Sequence, residues 1–309
     1  MAPAKAPVAL VTAFALFLPA RTASAWCRTT TCDVQMSDPG CSWDSNNCAT
    51  AGKPLYWPDS CGWFGVQKDG SPKRNISYST FHSLVSNAFK KWSKASCGGG
   101  KVPSFEMTDT DLLYGPVVCS TIEFNKDAAN ASAWMFRDDS WPYVGGSSTI
   151  ALTTLSVDIP TGRILDADVE INSYRTDITT SDTNVGADLD SIVTHESGHF
   201  LGMAHSAVQD ATMFANYSPS TISIRNLSPD DEAGICAAYP PANLPACGPP
   251  EPIYGFSKYC KGADPSTQPV GTSKTTCAIA LGSSSTSHAA LIAAALTAVT
   301  LRLRRRKAA

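Results

Sequence analysis

The stretch HESGHFLGMAHS, from His195 to Ser206, constrains this chain more than any other. It holds three of the five histidines. Residues four apart share a helix face, so a helix here points His195 and His199 the same way. Glu196 sits beside them. Gly202 can end the helix and turn the chain back. His205 then arrives as a third ligand, six residues after His199. Three imidazoles on a tetrahedral zinc ion leave one position open. Three unrelated structural histidines are the alternative, but that leaves the joint spacing of histidines, glutamate and glycine without a cause.

The chemistry of such a site is hydrolytic. Bound zinc lowers the pKa of a water towards neutrality and polarises a carbonyl. Glu196 is the candidate general base, taking the proton of that water and passing one to the leaving amine. A Ser/His/Asp mechanism lacks a positioned histidine, since three of the five are committed to the cluster. The glycine-rich SCGGGK lacks the spacing and the Ser/Thr of a phosphate loop.

The termini point to export. Residues 1–25 carry Lys5, an apolar run from Val8 to Leu18 and the small-residue end Ala23-Ser24-Ala25, which predicts a signal peptide cleaved before Trp26. An N-terminal membrane anchor needs a longer apolar run. All eleven cysteines follow this segment, and ten lie between Cys27 and Cys260. That density suits an oxidising compartment and five disulfides, with Cys277 left over. Cys27, Cys32, Cys41 and Cys48 crowd a cysteine-rich segment over 26–56, and Cys247 with Cys260 can close a small loop. The net charge of −3 hides seven basic residues at the two ends; without them, 17 positives face 27 negatives. An acidic body of this kind is no nucleic-acid binder.

Periodicity places further elements. CGWFGVQKDGSP from Cys61 reads as a strand ending in a turn at Asp69-Gly70. STFHSLVSNAFKKWSKAS from Ser79 reads as a helix with Phe81, Leu84, Val85, Ala88, Phe89 and Trp92 inward; His82 receives no function. VPSFEMTD, STIEFN and STIALTTLSVDI are strand candidates. RILDADVEINS alternates, and with the preceding strand predicts an antiparallel edge beside the cleft. Asp188 or Asp190 can cap the histidine helix, and Ser228-Pro229 opens a last helix closed by Pro240-Pro241. Residues 241–287 are rich in Pro, Ser, Thr and Gly and read as a linker. Residues 288–309 form a short apolar run followed by basic residues, a tail that touches a membrane with its basic end cytoplasmic.

His195, Glu196, His199, Gly202 and His205 resemble the extended signature of the metzincin metalloproteases. Met213 in DATMFANY resembles their Met-turn, and Ser206 and the gap to Met213 resemble the matrixin branch. NLSPDDEAGICAAYP and FHSLVSNAFKKWSKAS resemble the closing and opening helices of matrixin domains, so the likeness spans about 57–240. It implies an α+β catalytic domain: a twisted, mostly parallel five-stranded sheet with an antiparallel edge strand, packed with three helices. It implies an extended peptide bound by strand addition, with Phe214–Ile224 beside the pocket and Tyr217 as a candidate transition-state contact. Asp166, Asp168 and Glu170 lie where matrixins carry calcium ligands; the alternative is an exposed acidic strand. Protein or peptide substrates, a catalytic Zn2+, a monomer and a secreted or cell-surface location follow from the same resemblance.

The chain departs from that pattern. Only His82 and His288 remain for a second, structural zinc, so none is expected. The latency cysteine has no match: Cys41 and Cys61 lack the arginine context. Cys277 before an apolar run and an arginine cluster resembles the C-terminal sorting tags of myxobacteria, which makes it a candidate for sorting or lipidation. Eleven residues separate it from Ala289, however, and a plain membrane-tethered tail is the other reading. The rival to an endopeptidase is a disulfide-stabilised surface binding or adhesion module with a non-catalytic zinc. An intact Glu196 speaks against it, because a structural zinc needs no general base.

Overall fold

The structure is a computed structural model that describes residues 25–35, 38–143, 148–244, 246–249, 252 and 255–260, with the backbone alone for 272–281. The expected leader up to residue 24 and the tail at 288–309 lie outside the described residues. In chain order the elements are β1 (Cys27–Arg28), α1 (Thr31–Val34), β2 (Cys61–Val66), α2 (Tyr78–Ser93), β3 (Glu106–Asp109), α3 (Asp111–Tyr114), β4 (Ala133–Phe136), β5 (Thr149–Asp158), β6 (Arg163–Ile171), β7 (Ile178–Thr179), β8 (Ala187–Asp188), α4 (Leu189–Phe200), β9 (Met203–Ala204), β10 (Asn216–Tyr217), α5 (Pro229–Ala238) and β11 (Thr272–Leu281).

The main sheet has the order β10-β11-β5-β6-β4-β2-β3. Its body is the expected five strands: β3, β2, β4 and β6 are parallel, and β5 runs antiparallel to β6. The sheet does not end at β5. β11 pairs antiparallel along β5, inside the segment expected to be a linker. The sequence TSKTTCAIAL explains the correction: it has no proline, one charge and several β-branched residues. STIEFN is not a strand either. Two of its backbone donors go to side chains, Glu123 N–H to Asp168 and Asn125 N–H to Asn130, which takes them out of any ladder. The strand in its place is β4.

Helix α2 forms because Ser77 caps it by accepting the Thr80 N–H and because Phe81, Val85, Ala88, Phe89 and Trp92 recur on one buried stripe. That stripe packs on α4 and the sheet. Trp57 stacks on Phe200 at 5.4 Å and donates its indole N–H to the Phe200 carbonyl at 2.8 Å. Phe64, Phe89 and Trp134 complete an aromatic core beneath α4. α5 begins at Pro229 with a reciprocal cap between Ser228 and Asp231.

Five disulfides join Cys27–Cys48, Cys32–Cys41, Cys61–Cys247, Cys97–Cys236 and Cys119–Cys260. The small loop expected between Cys247 and Cys260 does not form; each cysteine instead staples the segment after α5 back to the sheet. Cys41 and Cys61 are both bonded, which removes them as latency thiols. The N-terminal segment is knit by two of these bonds and docks on the body, where β1 pairs with β9 and Leu55 is fully buried.

The α2–β3 side holds a buried acid. Asp111 accepts hydrogen bonds from Val66 N–H and the Tyr78 hydroxyl, and burial lifts its carboxyl from the ordinary 3.8 to about 6. The native state therefore holds that proton more tightly than the unfolded chain does. The stability it lends is complete below pH 3.8 and is lost as pH rises through about 6. Urea unfolding of the intact-disulfide protein should show the wild type losing roughly 2–3 kcal/mol relative to Asp111→Asn between pH 4 and 7.5. A difference that stays flat with pH would refute this.

Candidate metal and active site

Helix α4 starts where Asp188 accepts the Ser191 N–H at 2.9 Å. Arg225 grips the same carboxylate from the loop beyond the site, at 2.8 and 2.6 Å. From Ser191 to Phe200 every residue of the helix is buried. Trp92 fixes its position by donating to the Thr194 carbonyl at 2.9 Å. Position 198 must be glycine, because a Cβ there would lie 2.3 Å from the Met213 sulfur and 2.7 Å from the Trp92 ring. Gly202, at φ +86°, ends the helix against the Leu55 carbonyl. The chain returns through β9, and His205 comes back over the helix.

The three imidazoles meet. The His195 and His199 Nε2 atoms are 3.0 Å apart, and those of His199 and His205 are 3.2 Å apart. The His195 Nδ1 lies 2.6 Å from the Thr212 carbonyl oxygen, and the His199 Nδ1 lies 2.9 Å from that of Met203. A carbonyl can only accept, so Nδ1 carries the proton in both rings and each Nε2 keeps its lone pair. Two lone pairs then face each other with no proton between them. A cation resolves that conflict. Nitrogens on a tetrahedral zinc are about 3.3 Å apart, close to the spacing found. Burial first, then the neighbouring His205, pushes His195 down to about 3 and His199 well below its ordinary value, so both rings are neutral and ready to ligate.

Glu196 is fully buried on the same helix, and its Oε2 accepts the hydroxyl hydrogen of Thr153 from the middle of β5. Met213 packs directly under the helix at Gly198. Its turn is held by a residue that pattern reading treats only as an early helix acid. Asp231 of α5 accepts the N–H groups of Thr212 at 2.8 Å, Met213 at 3.0 Å and Ser228 at 2.8 Å. It thereby fixes the Thr212 carbonyl that orients His195. Asp230 accepts the Ser206 hydroxyl at 2.7 Å and anchors the chain just after His205. The only sequence hint was the Asp230-Asp231 pair at a helix start.

Other expected residues land elsewhere. Tyr217 is buried, its hydroxyl donates to the Thr221 carbonyl at 2.7 Å, and it accepts the Asp188 N–H. Here the phenol's proton is engaged inside the loop, where it braces Tyr217 against Thr221 and the start of α4. Asp166, Asp168 and Glu170 are neither an exposed strand nor a converging triad. They share one buried face of β6, which is interior to the sheet and not an edge. Ser132 donates to Asp166, two backbone N–H groups donate to Asp168, and Arg137 and Tyr143 hold Glu170. Their ligand atoms do not form one of the described groups that converge within 4.8 Å. Burial, then the Asp166 charge, raises the Asp168 carboxyl well above its ordinary range. His82 pairs with Asp109 at 2.8 Å beside Asp111, on the α2–β3 side, where a cavity of about 510 Å³ opens.

Comparison with known proteins agrees with this geometry. The sequence profile described as Matrixin matches residues 69–240, more than half of the chain. Metalloendoproteinase 1 of Glycine max is 28% identical over 162 residues, covering 52% of this chain and 46% of that protein. Matrilysin of Homo sapiens is 28% identical over 166 residues, 54% of this chain and 53% of its own length. Metalloendoproteinase 1-MMP of Arabidopsis thaliana is 41% identical over 59 residues, 19% of this chain and 16% of that protein. The chain thus spans about half the length or less of these curated relatives.

The Asp231 clamp makes a testable demand. Asp231→Ala leaves the Thr212 and Met213 N–H groups without their acceptor and frees the carbonyl behind His195. Chelator competition should show zinc held at least about tenfold more weakly, as for loss of an outer partner of a ligating histidine. Near-ultraviolet circular dichroism should remain native. Unchanged zinc affinity in a folded variant would show that the clamp does not orient the ligand.

Proposed function

The chain belongs to the matrixin family, and from that premise we propose that it is a zinc-dependent endopeptidase acting on extracellular proteins. The observation that carries the reading is the pairing of three convergent imidazoles with a buried carboxylate one residue along the same helix. A zinc ion on His195, His199 and His205 would supply Lewis-acid polarisation of the scissile carbonyl and acidify a water. Glu196 takes the proton from the attacking water and returns one to the leaving amine. The Thr153 hydroxyl holds that carboxylate in a single orientation, so little reorganisation accompanies the transfer. The Met203 and Thr212 carbonyls keep the two helical imidazoles in the ligating tautomer.

Substrate binding falls to β5. A strand edge beside α4 can take an extended peptide by main-chain pairing, with side chains alternating to either side. Export to an oxidising compartment accords with the five disulfides, so we place the protein outside the cell or on its surface. Among the described residues no helix is long and apolar enough to cross a membrane. The adhesion-module reading leaves the Thr153–Glu196 contact without a purpose, since a structural metal needs no oriented base.

Cleavage of casein or gelatin should require zinc and stop with a chelator. Glu196→Gln should keep one zinc per chain and a native fold while kcat/KM falls at least about 100-fold. A fully active Glu196→Gln protein would exclude Glu196 as the base. A chain that binds zinc yet cleaves nothing would favour the adhesion module.

A further inference from the structure

The β5 edge that a peptide would need is already taken. β11 runs antiparallel along it, from Thr272 opposite Asp158 to Ile279 opposite Ala151, with a register shift before Ala280 meets Thr149. β6 holds the other edge of β5. Both hydrogen-bonding edges of the strand are therefore used. The end of β11 also pairs with β10, at Asn216 and Tyr217, so this strand is enclosed on both sides. Its backbone comes within 8 Å of α4, the helix of His195, Glu196 and His199. The register puts Cys277 opposite Thr153, whose hydroxyl donates to Glu196. The middle of β11 thus crosses β5 at the level of the candidate base.

Among the described residues no disulfide reaches it. The five disulfides use ten of the eleven cysteines, all at or before Cys260, and leave Cys277 with no cysteine partner in the chain. β11 is joined to the body by main-chain pairing and by the connection from Cys260. A strand held in this way can leave as a unit, and the β5–β6 hairpin and the disulfides remain.

We propose that Thr272–Leu281 is an internal occupant of the peptide groove, a strand that keeps the full-length chain closed to extended substrates until it is displaced or removed. This rests on the endopeptidase reading for its consequence, though not for the pairing itself. An incoming peptide and β11 compete for the same β5 N–H and C=O groups, so only one can bind at a time.

The test uses the full-length chain and two double variants at one pair of neighbouring residues. Adjacent residues of a strand present their N–H groups to opposite sides, so replacing two neighbours by proline removes at least one donor to β5 and blocks the ladder. Thr275→Pro with Thr276→Pro should release β11. Thr275→Val with Thr276→Val keeps strand-forming residues and should not. Hydrogen exchange should speed at least about 100-fold at the β5 amides that face β11 in the proline form, and stay as wild type in the valine form. The kcat/KM for an extended peptide should rise at least about tenfold in the proline form alone. Equal exchange in the two forms would overturn the pairing. Faster exchange without a change in rate would overturn the closure. If every form holds zinc and none cleaves, the endopeptidase reading fails. Anisotropy of a fluorescein-labelled extended peptide then decides the proposal without turnover: tighter binding to the proline form upholds it, and equal binding overturns it.

Discussion

Two neutral imidazoles are forced to point their lone pairs at each other inside a fully buried helix, and much of the surrounding structure exists to hold them so. Left alone, His195 and His199 would rotate or take protons. Both escapes are closed. The Thr212 and Met203 carbonyls fix the Nδ1 protons, and burial makes the charged rings costly. The turn that presents Thr212 hangs from Asp231, and the strand that presents Met203 is paired to the N-terminal β1. The metal site is thus tied to both ends of the domain, from Cys27 to α5.

The disulfides suit this arrangement. Two knit the N-terminal segment that pairs beside β9, and three tie α5 and the stretch after it to the loop after α2, to β2 and to the loop over β6. The cross-links over long separations limit the unfolded chain most. Strand β6 carries a buried acidic face. Asp166, Asp168 and Glu170 are satisfied there by hydroxyl, backbone and guanidinium donors.

Strand β5 joins the proposed catalysis to the proposed closure. One of its side chains, Thr153, holds the Glu196 carboxylate, and the edge it turns away from β6 is where the proposed peptide substrate would lie. The same edge is where β11 lies. On those proposals a single strand offers the carboxylate its orientation, the substrate its ladder and β11 a place to compete. Composition alone presents that tail as a spacer, because threonine and serine suit linkers and strands alike. Only an unpaired neighbour of the right length separates the two outcomes.

The zinc triad, Glu196, helix α2 and the start of α5 are legible in the linear chain, because each depends on spacing within one element. Periodicity and caps are local, and the same rotation of 3.6 residues per turn that makes a helix makes its ligands converge. The evenness of the ten cysteines is equally a property of the sequence, and so is the odd Cys277. Contacts between distant elements are not written that way. The clamp of Asp231 on the Met213 turn, the hydrogen bond from the Asp188 N–H to the Tyr217 hydroxyl, the burial of the β6 acids and the partner of each cysteine were decided by tertiary structure. So was the pairing of β11 with β5. In each of these, a donor or an edge is satisfied by whatever packing brings within hydrogen-bond reach, and residues 18 or 120 positions apart carry no periodic trace of that choice.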